Sequence, residues 1–334
     1  MTTDGDGVVA WIRSTAHPLR SLDPGDDLSD LEPLRGIAGH ASVVGLGGST
    51  RQAHELLAVQ LRIVRFLVEQ LGFRAVALEM SSTVGHRLDE HIRTGAGDAV
   101  ELLAAARPFW RFGEIVDLVR WLRGYARDQP DDPVRLLGAD TDVAGLGTAA
   151  PDDPVADQIE ARDPQLASRP DTLGYTERHL AETAIRWHER TGARIVHWGG
   201  SAHVAVGDRR SASVPPGPPL VDRNAGSYLR ERFGPGYVAI GLTFDHGDAP
   251  YPVPRASPPL VDATLARAGL EAYLLDLHAP RPPAVERWLT APARARLIGP
   301  RYDAARDAEH HLAGAALADW FDVLVHVQQV TPAR

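Results

Sequence analysis

Two apolar rhythms alternate along the chain. Short runs rich in Val, Leu, Ile and Ala cover residues 42–46, 74–78, 134–137, 194–198, 237–244, 272–277 and 323–330. Runs of that length, bounded by Gly, Pro and Asp, read as buried strands. Between them apolar side chains return every three or four residues, as on one face of a helix. Leu57, Leu61, Val64, Val68 and Leu71 make the clearest such stripe, and Gly72 stops it. Residues 8–15, 81–94, 98–106, 114–127, 177–190 and 226–233 read as further helices. Asp27 or Ser29 is placed to cap a helix carrying Leu28, Leu31 and Leu34, and Ser49 or Thr50 to cap the one after the first strand.

Strands that alternate with helices predict an α/β fold with a mostly parallel central sheet flanked by helices. The organising unit is the stretch 43–79, a strand, a Gly-rich turn, a helix and a second strand ending on Glu79. Residues 142–176 are acidic, Pro-rich and weakly patterned, which predicts a short cap or long connection within a single domain spanning 1–334. Residues 208–225 and 250–259, also rich in Pro, are expected to be loops.

Composition narrows the chemistry. With 44% hydrophobic and 24% charged residues, the 334-residue chain is of ordinary globular type. A net charge of -9 speaks against a general nucleic-acid binder. No apolar run reaches membrane-spanning length and the start lacks a signal-peptide core, so a cytoplasmic location is expected. There is no cysteine, which excludes disulfides and thiolate nucleophiles. All 35 basic residues are arginine, which excludes lysine Schiff bases and the lysine of a P-loop. The 14 histidines show no metal-ligand spacing: His310-His311 are adjacent, and His86 and His91 stand five apart. Neither a metal nor an organic cofactor is expected.

Ligands of open α/β sheets sit beyond the carboxyl ends of the strands. Residues at those ends are therefore the candidates. Glu79 closes an apolar strand, where a carboxylate is either held by an Arg or works as an acid/base. His203 follows Gly199-Gly200-Ser201 and suits proton transfer or a substrate hydrogen bond. Arg51 at the helix start holds either an anion or Glu79. His54, one turn on, is either a second imidazole for the site or a surface residue. Gly48, Ser49, Ser201, Asp140 and His246 also lie at or after strand ends, within reach of the same crevice as substrate contacts, with Asp140 alternatively a cap or part of the polar rim. GGSAH departs from the G-x-S-x-G of a nucleophile elbow at its last position. The turn Gly45-Leu46-Gly47-Gly48 is not G-x-G-x-x-G, so no dinucleotide site is expected.

Taken together, these segments resemble the erythromycin esterase family. HPLRSLDPGDDLSDLEPL is similar to its entry segment and VVGLGGSTRQAHELL to its G-E-x-T-H-G-x-x-E-F-F turn. RFLVEQLGFRAVALE resembles its second strand, PFWRFGEIVDLVRWLR its Trp/Arg/Glu helix, and VRLLGAD its third strand. RIVHWGGSAHV is similar to its W-A-H-N-x-H turn, and FDVLVHVQQVTPAR to its close. The resemblance covers residues 17–334 and implies that family's fold.

The resemblance also implies a site in which a first-turn His activates water, supported by carboxylates, a helix Arg and a later His pair. Here Gly48 and Arg51 stand at the first-turn Glu and His, Gln60 at the helix Arg, and Gly200 and Ser201 at the later His and Asn. Glu79 and His203 are kept, with Arg111 and Glu114 on the accessory helix. The resemblance therefore implies a divergent member that works on an apolar, oxygen-rich, polyketide-like small molecule of natural-product metabolism. Cyclisation, elimination or rearrangement by acid/base catalysis is expected ahead of hydrolysis. The alternatives are a lactone or ester hydrolase using His54 or His203, and a non-catalytic small-molecule binder. The sequence leaves the oligomeric state open.

Overall fold

The computed structural model describes residues 4–140, 172–207, 209–299 and 301–334. Its elements in chain order are α1 (Asp4–Thr15), β1 (His17–Pro18), α2 (Pro33–Ala38), β2 (Val43–Gly48), α3 (His54–Leu71), β3 (Ala75–Ser81), α4 (Ser82–Thr94), α5 (Ala99–Leu103), α6 (Gly113–Asp128) and β4 (Arg135–Asp140). Then come α7 (Thr172–Thr191), β5 (Ile195–Gly200), α8 (Ser201–Val204), β6 (Arg210–Ser213), β7 (Leu220–Asp222), α9 (Ala225–Phe233), β8 (Tyr237–Asp248) and β9 (Pro252–Val253). The chain continues through α10 (Asp262–Ala266), β10 (Ala272–Asp276), α11 (Pro283–Thr290), β11 (Ala295–Arg296), β12 (His311–Ala313), α12 (Leu317–Trp320) and β13 (Val323–Val330).

Nine strands form the central sheet in the order β1-β10-β13-β8-β2-β5-β3-β4, with β9 paired to β8. Contacts from β13 through β4 are all parallel, while β1, β9 and β10 add antiparallel edges. A parallel sheet must be covered on both faces, and the strand sequences show it. In β2 and β3, Val44, Leu46, Val76 and Leu78 pack on one face with α3 and α6, while Val43, Ala75 and Ala77 pack on the other with α7 and α9. The expected α/β architecture is therefore the observed one. The β2–α3–β3 unit is also present, but β5 lies hydrogen-bonded between its two strands.

Several local expectations differ. Helix α3 starts at His54, with Ala53 before it and no side-chain cap, so neither Ser49 nor Thr50 caps it. Its first amide is served by the far end of the chain, where His54 N donates to Thr331 O at 2.9 Å. Gly72 ends α3 with φ 73° as expected, in the left-handed region that disfavours a side chain. The helix expected at 98–106 is confined to Ala99–Leu103, capped by Asp98. The helix expected from 177 already runs from Thr172, and residues 141–171 of the expected cap lie outside the described residues.

The expected loop 208–225 instead contains two strands. With β11 and β12 they form a four-stranded antiparallel sheet, β11-β12-β6-β7. Its strands are only two to four residues long and interrupted by Pro, which leaves too little periodicity to be read from sequence.

Candidate active site

The adjacent parallel strands β2, β5 and β3 end side by side, and four charged groups converge just beyond them. Glu79 stands near the end of β3 and is 4% exposed. Trp110 fixes its backbone, donating from Nε1 to Glu79 O at 2.6 Å, and packs edge-on to Trp198 of β5. On the carboxylate, Oε2 accepts from Arg51 Nη2 and Oε1 lies 3.4 Å from His203 Nε2.

His203 reaches this point because β5 turns directly into the one-turn helix α8 after two glycines. Close approach makes small residues necessary here. A Cβ on Gly47 would meet Ser201 Cα at 2.7 Å, and one on Gly200 would lie 3.0 Å from Arg51 Nη2. The arginine thus lies across the bare backbone of Gly200. A Cβ on Gly48 would meet the Thr50 carbonyl at 2.8 Å, so the turn that carries Arg51 around also needs a glycine.

The other imidazole nitrogen, Nδ1, donates to Glu177 Oε1 at 2.8 Å. Glu177 comes from α7, is wholly buried, and accepts also from Arg210 Nη2 of β6 and from Ala225 N at 2.9 Å. Its carboxylate fixes the tautomer and ring plane of His203. Sequence reasoning missed Glu177 and Arg210. The signal was present in α7, where Glu177 occupies the same inward stripe as Leu180, Ala181 and Ala184.

Burial and partners pull these groups in opposite directions. Burial pushes the Glu79 carboxyl up, but Arg51 and His203, with help from Arg107, outweigh it, and its pKa falls below the ordinary value. Glu177 behaves the same way, with burial offset by His203 and Arg210. Burial would lower His203, yet Glu177 and Glu79 raise it above its usual value. Beneath them in β5, His197 is fully buried with neither ring nitrogen hydrogen-bonded, and burial holds its pKa at about 4 despite Glu79. Its imidazole is neutral.

A cavity of about 300 Å³ opens in front of this cluster, lined by Thr50, Arg51, Gln52, Arg107, Phe109 and Ile298 among others. Arg51 forms its inner wall, with its guanidinium carbon 4.6 Å from the centre of the Phe109 ring. Arg51 therefore stands between the cavity and the Glu79–His203 pair. Ser49 is buried beside it with an unpartnered hydroxyl, and its carbonyl accepts from Ile298 N at 2.8 Å. Ser201 is also buried, against Gly47.

Other expected site residues lie elsewhere. His54 Nδ1 donates to Glu114 Oε1 at 2.5 Å, and Arg334 binds the same carboxylate from Nε at 3.2 Å. His54 and Arg334 line a separate groove with Leu61, Arg65 and Trp121. Arg111 is exposed and donates to Ala106 O at 2.7 Å, and its neighbour Trp110 is the residue that touches the site. His246 donates to Asp245 at 2.9 Å and lines a third cavity with Arg255 and Glu271. The backbone of Asp140 ends β4 beside β3, and its side chain lies outside the described residues. Among the described residues no three His, Asp or Glu side chains are grouped as a metal would need, and no helix is long and apolar enough to cross a membrane.

The class that the fold defines is that of α/β proteins with a mostly parallel central sheet flanked by helices, here with a buried carboxylate–imidazole–carboxylate chain at the strand ends. The family model described as "Erythromycin esterase" matches residues 68–173 and 169–330, and the chain belongs to that family. The chain is 28% identical over 130 residues to an erythromycin esterase type II of Escherichia coli, and 27% identical over 115 residues to a type I enzyme of the same organism. The matched segments cover 39% and 34% of this chain, but only 30% and 27% of those enzymes.

Among solved structures, a Bacillus cereus protein superposes with a TM-score of 0.81 at 19% identity, covering 99% of both chains. A succinoglycan biosynthesis protein gives 0.80 at 20% identity, covering 99% of this chain and 98% of its own. A mutant of the erythromycin esterase EreC in its open conformation gives 0.68 at 15% identity, covering 96% of this chain and 99% of its own. At such identities the likeness concerns the fold.

Proposed function

We propose that this protein hydrolyses an ester of a small molecule, with His203 as general base, Glu177 as its orienting residue, Glu79 as the second carboxylate against the attacking water, and Arg51 as the cation facing the developing oxyanion. The observation that carries this reading is the placement of His203 between two glutamates, Nδ1 on Glu177 and Nε2 towards Glu79. A carboxylate behind an imidazole leaves the opposite nitrogen free to take a proton once the ring is neutral. A guanidinium in a low-dielectric wall offers fixed donors where negative charge grows. In this reading His203 takes the base role by itself, and His54, paired with Glu114, is left out of it.

A second reading uses the same groups in the other protonation state. The two glutamates favour the imidazolium form of His203, which suits a general acid paired with Glu79 as base in cyclisation, elimination or rearrangement. A third reading is a binder that leaves its ligand unchanged.

One experiment separates the three. The purified protein is incubated with aryl esters and lactones across pH 5 to 10, and products are weighed by mass spectrometry. Hydrolysis adds one water, and its rate rises with pH through the raised pKa of His203, because the base form appears only above it. Acid-led cyclisation or rearrangement conserves mass, elimination gives a product lighter by the leaving group, and in each case no water is added and the rate falls over that window. Glu79→Gln is expected to abolish either activity while leaving the fold intact. Unchanged turnover in that variant sinks both catalytic readings, and binding without any turnover supports the third.

A further inference from the structure

The proposed chemistry leaves a buried imidazole unused. His197 stands on β5 opposite Gly45 of β2 and Ala77 of β3. Side chains two apart on a strand share a face, so His197 points the same way as the bare α-carbon of Gly199. Its companions on that face, Val43, Ala75, Ala77 and Ile195, are apolar. Yet His197 is fully buried, and among the described residues neither ring nitrogen has a hydrogen-bond partner. Buried polar groups are seldom left so, because an unmade bond costs the full desolvation of the group. An apolar side chain of similar volume would fill the position without that cost.

The neighbouring glycine shows where the partner belongs. A Cβ built on Gly199 would stand 3.4 Å from Glu79 Oε2, 3.8 Å from His203 Cβ and 4.0 Å from His197 Nε2, all ordinary contacts. Gly199 therefore leaves room for a further atom between a carboxylate oxygen and an imidazole nitrogen. A buried water needs a site of about its own size and at least two polar partners. Glu79 Oε2 accepts from Arg51 Nη2, and a carboxylate oxygen has a second lone pair for another donor.

We propose that His197 is a positioning residue for Glu79, acting through one internal water over Gly199 that accepts from His197 Nε2–H and donates to Glu79 Oε2. This rests on the reading of Glu79 and His203 as the reacting pair, and adds a member behind them. The water holds Oε2 inward while Oε1 stays turned to His203 Nε2. It also shares the carboxylate's charge, so Glu79 grips the imidazolium of His203 less tightly. A neutral ring does this without setting a second cation beside His203, and burial keeps His197 neutral down to about 4. The charged groups that bear on the pair are Glu79 of β3, Glu177 of α7, Arg51 of the β2–α3 turn, Arg107, and Arg210 of β6.

Two measurements test this without substrate. A crystal structure of the full chain, at a resolution that shows ordered waters, is expected to hold a peak within hydrogen-bond reach of both Glu79 Oε2 and His197 Nε2. No peak there overturns the inference. The second measurement follows the His203 imidazole by NMR titration in the unaltered protein, in His197→Leu and in His197→Gln. Leucine nearly keeps the volume and removes the donor, so the His203 pKa is expected to rise by about half a unit. Glutamine carries an amide N–H near the place of Nε2 and is expected to leave that pKa where it was. An unmoved or lowered pKa in His197→Leu, or an equal rise in both variants, overturns the proposal. The catalytic reading fails separately: unchanged turnover in Glu79→Gln sinks it and leaves the water-bridged pair standing.

Discussion

Replacing Glu177 by glutamine tests whether the buried carboxylate behind His203 governs both the fold and the base. The side chain is wholly buried, and three donors converge on it, from His203, Arg210 and Ala225. An amide has one acceptor oxygen and one donor nitrogen. Whichever way it is turned, an N–H faces another N–H, and Arg210, 2% exposed, loses its counter-charge. Breaking a buried pair by removing one partner costs about 3 to 5 kcal/mol, and that is the loss of unfolding free energy expected by urea titration at pH 7. The chemistry should respond independently. Glu177 is the largest influence raising the His203 pKa, so in Glu177→Gln that pKa falls and the alkaline-rising limb of the pH–rate profile moves to lower pH. Glu177→Asp, which keeps the charge on a stem one methylene shorter, should retain more of the pKa effect than of the stability. A stability loss under about 1 kcal/mol together with an unmoved His203 titration would refute the reasoning.

Other expectations follow from neighbouring geometry. Gly200→Ala places a Cβ 3.0 Å from Arg51 Nη2, so the guanidinium has to shift by a few tenths of an ångström against Glu79, and kcat/KM should drop up to about tenfold (roughly 1.4 kcal/mol) in a protein that still folds. Gly199→Ala, whose Cβ meets Glu79 Oε2 at an ordinary 3.4 Å, should be much milder, and equal effects would speak against the interlock. Acid should destabilise the protein well before its carboxylates titrate. The unfolded chain protonates His197 near 6.5 whereas the folded chain resists until about 4, so stability present above 6.5 is lost as pH falls between the two, by about 3 kcal/mol. His197→Gln should flatten that part of a stability-against-pH curve, and His326, held at about 3 by burial, should leave a similar slope behind.

The fold was largely legible because a doubly covered parallel sheet writes itself as apolar runs separated by amphipathic helices. Every parallel strand of the central sheet lay on such a run. The small sheet was not legible, since Arg210, Ser211 and Ser213 give no strand rhythm and their pairing with β12 spans about a hundred residues. Glu79, Arg51 and His203 could be nominated because Glu79 stands near the end of a strand and the other two follow one, and strand ends of one sheet share a rim. The same rule nominated His246, but β8 runs on to Asp248, which carries that residue past the rim to another cavity. Helical neighbours were harder still. His54 begins α3 and Glu114 lies in the first turn of α6, and the two helix starts meet each other rather than the strand ends.

The position of β13 bears on how the molecule comes to be. It follows every other strand in sequence, yet lies inside the sheet between β10 and β8. Beyond it, Thr331 binds Glu55 across 276 residues of chain, Ala333 N donates to Gln52 O, and Gly113 N to Arg334 O. A ribosome making this chain would therefore present β8 with an unpaired edge until residues 323–334 emerge, and the start of α3 would lack its anchor until then. Long-range closure of this kind is slow and leaves sticky edges exposed. Yield of native protein should depend on synthesis speed and holding chaperones more than on the strength of any contact in the finished molecule.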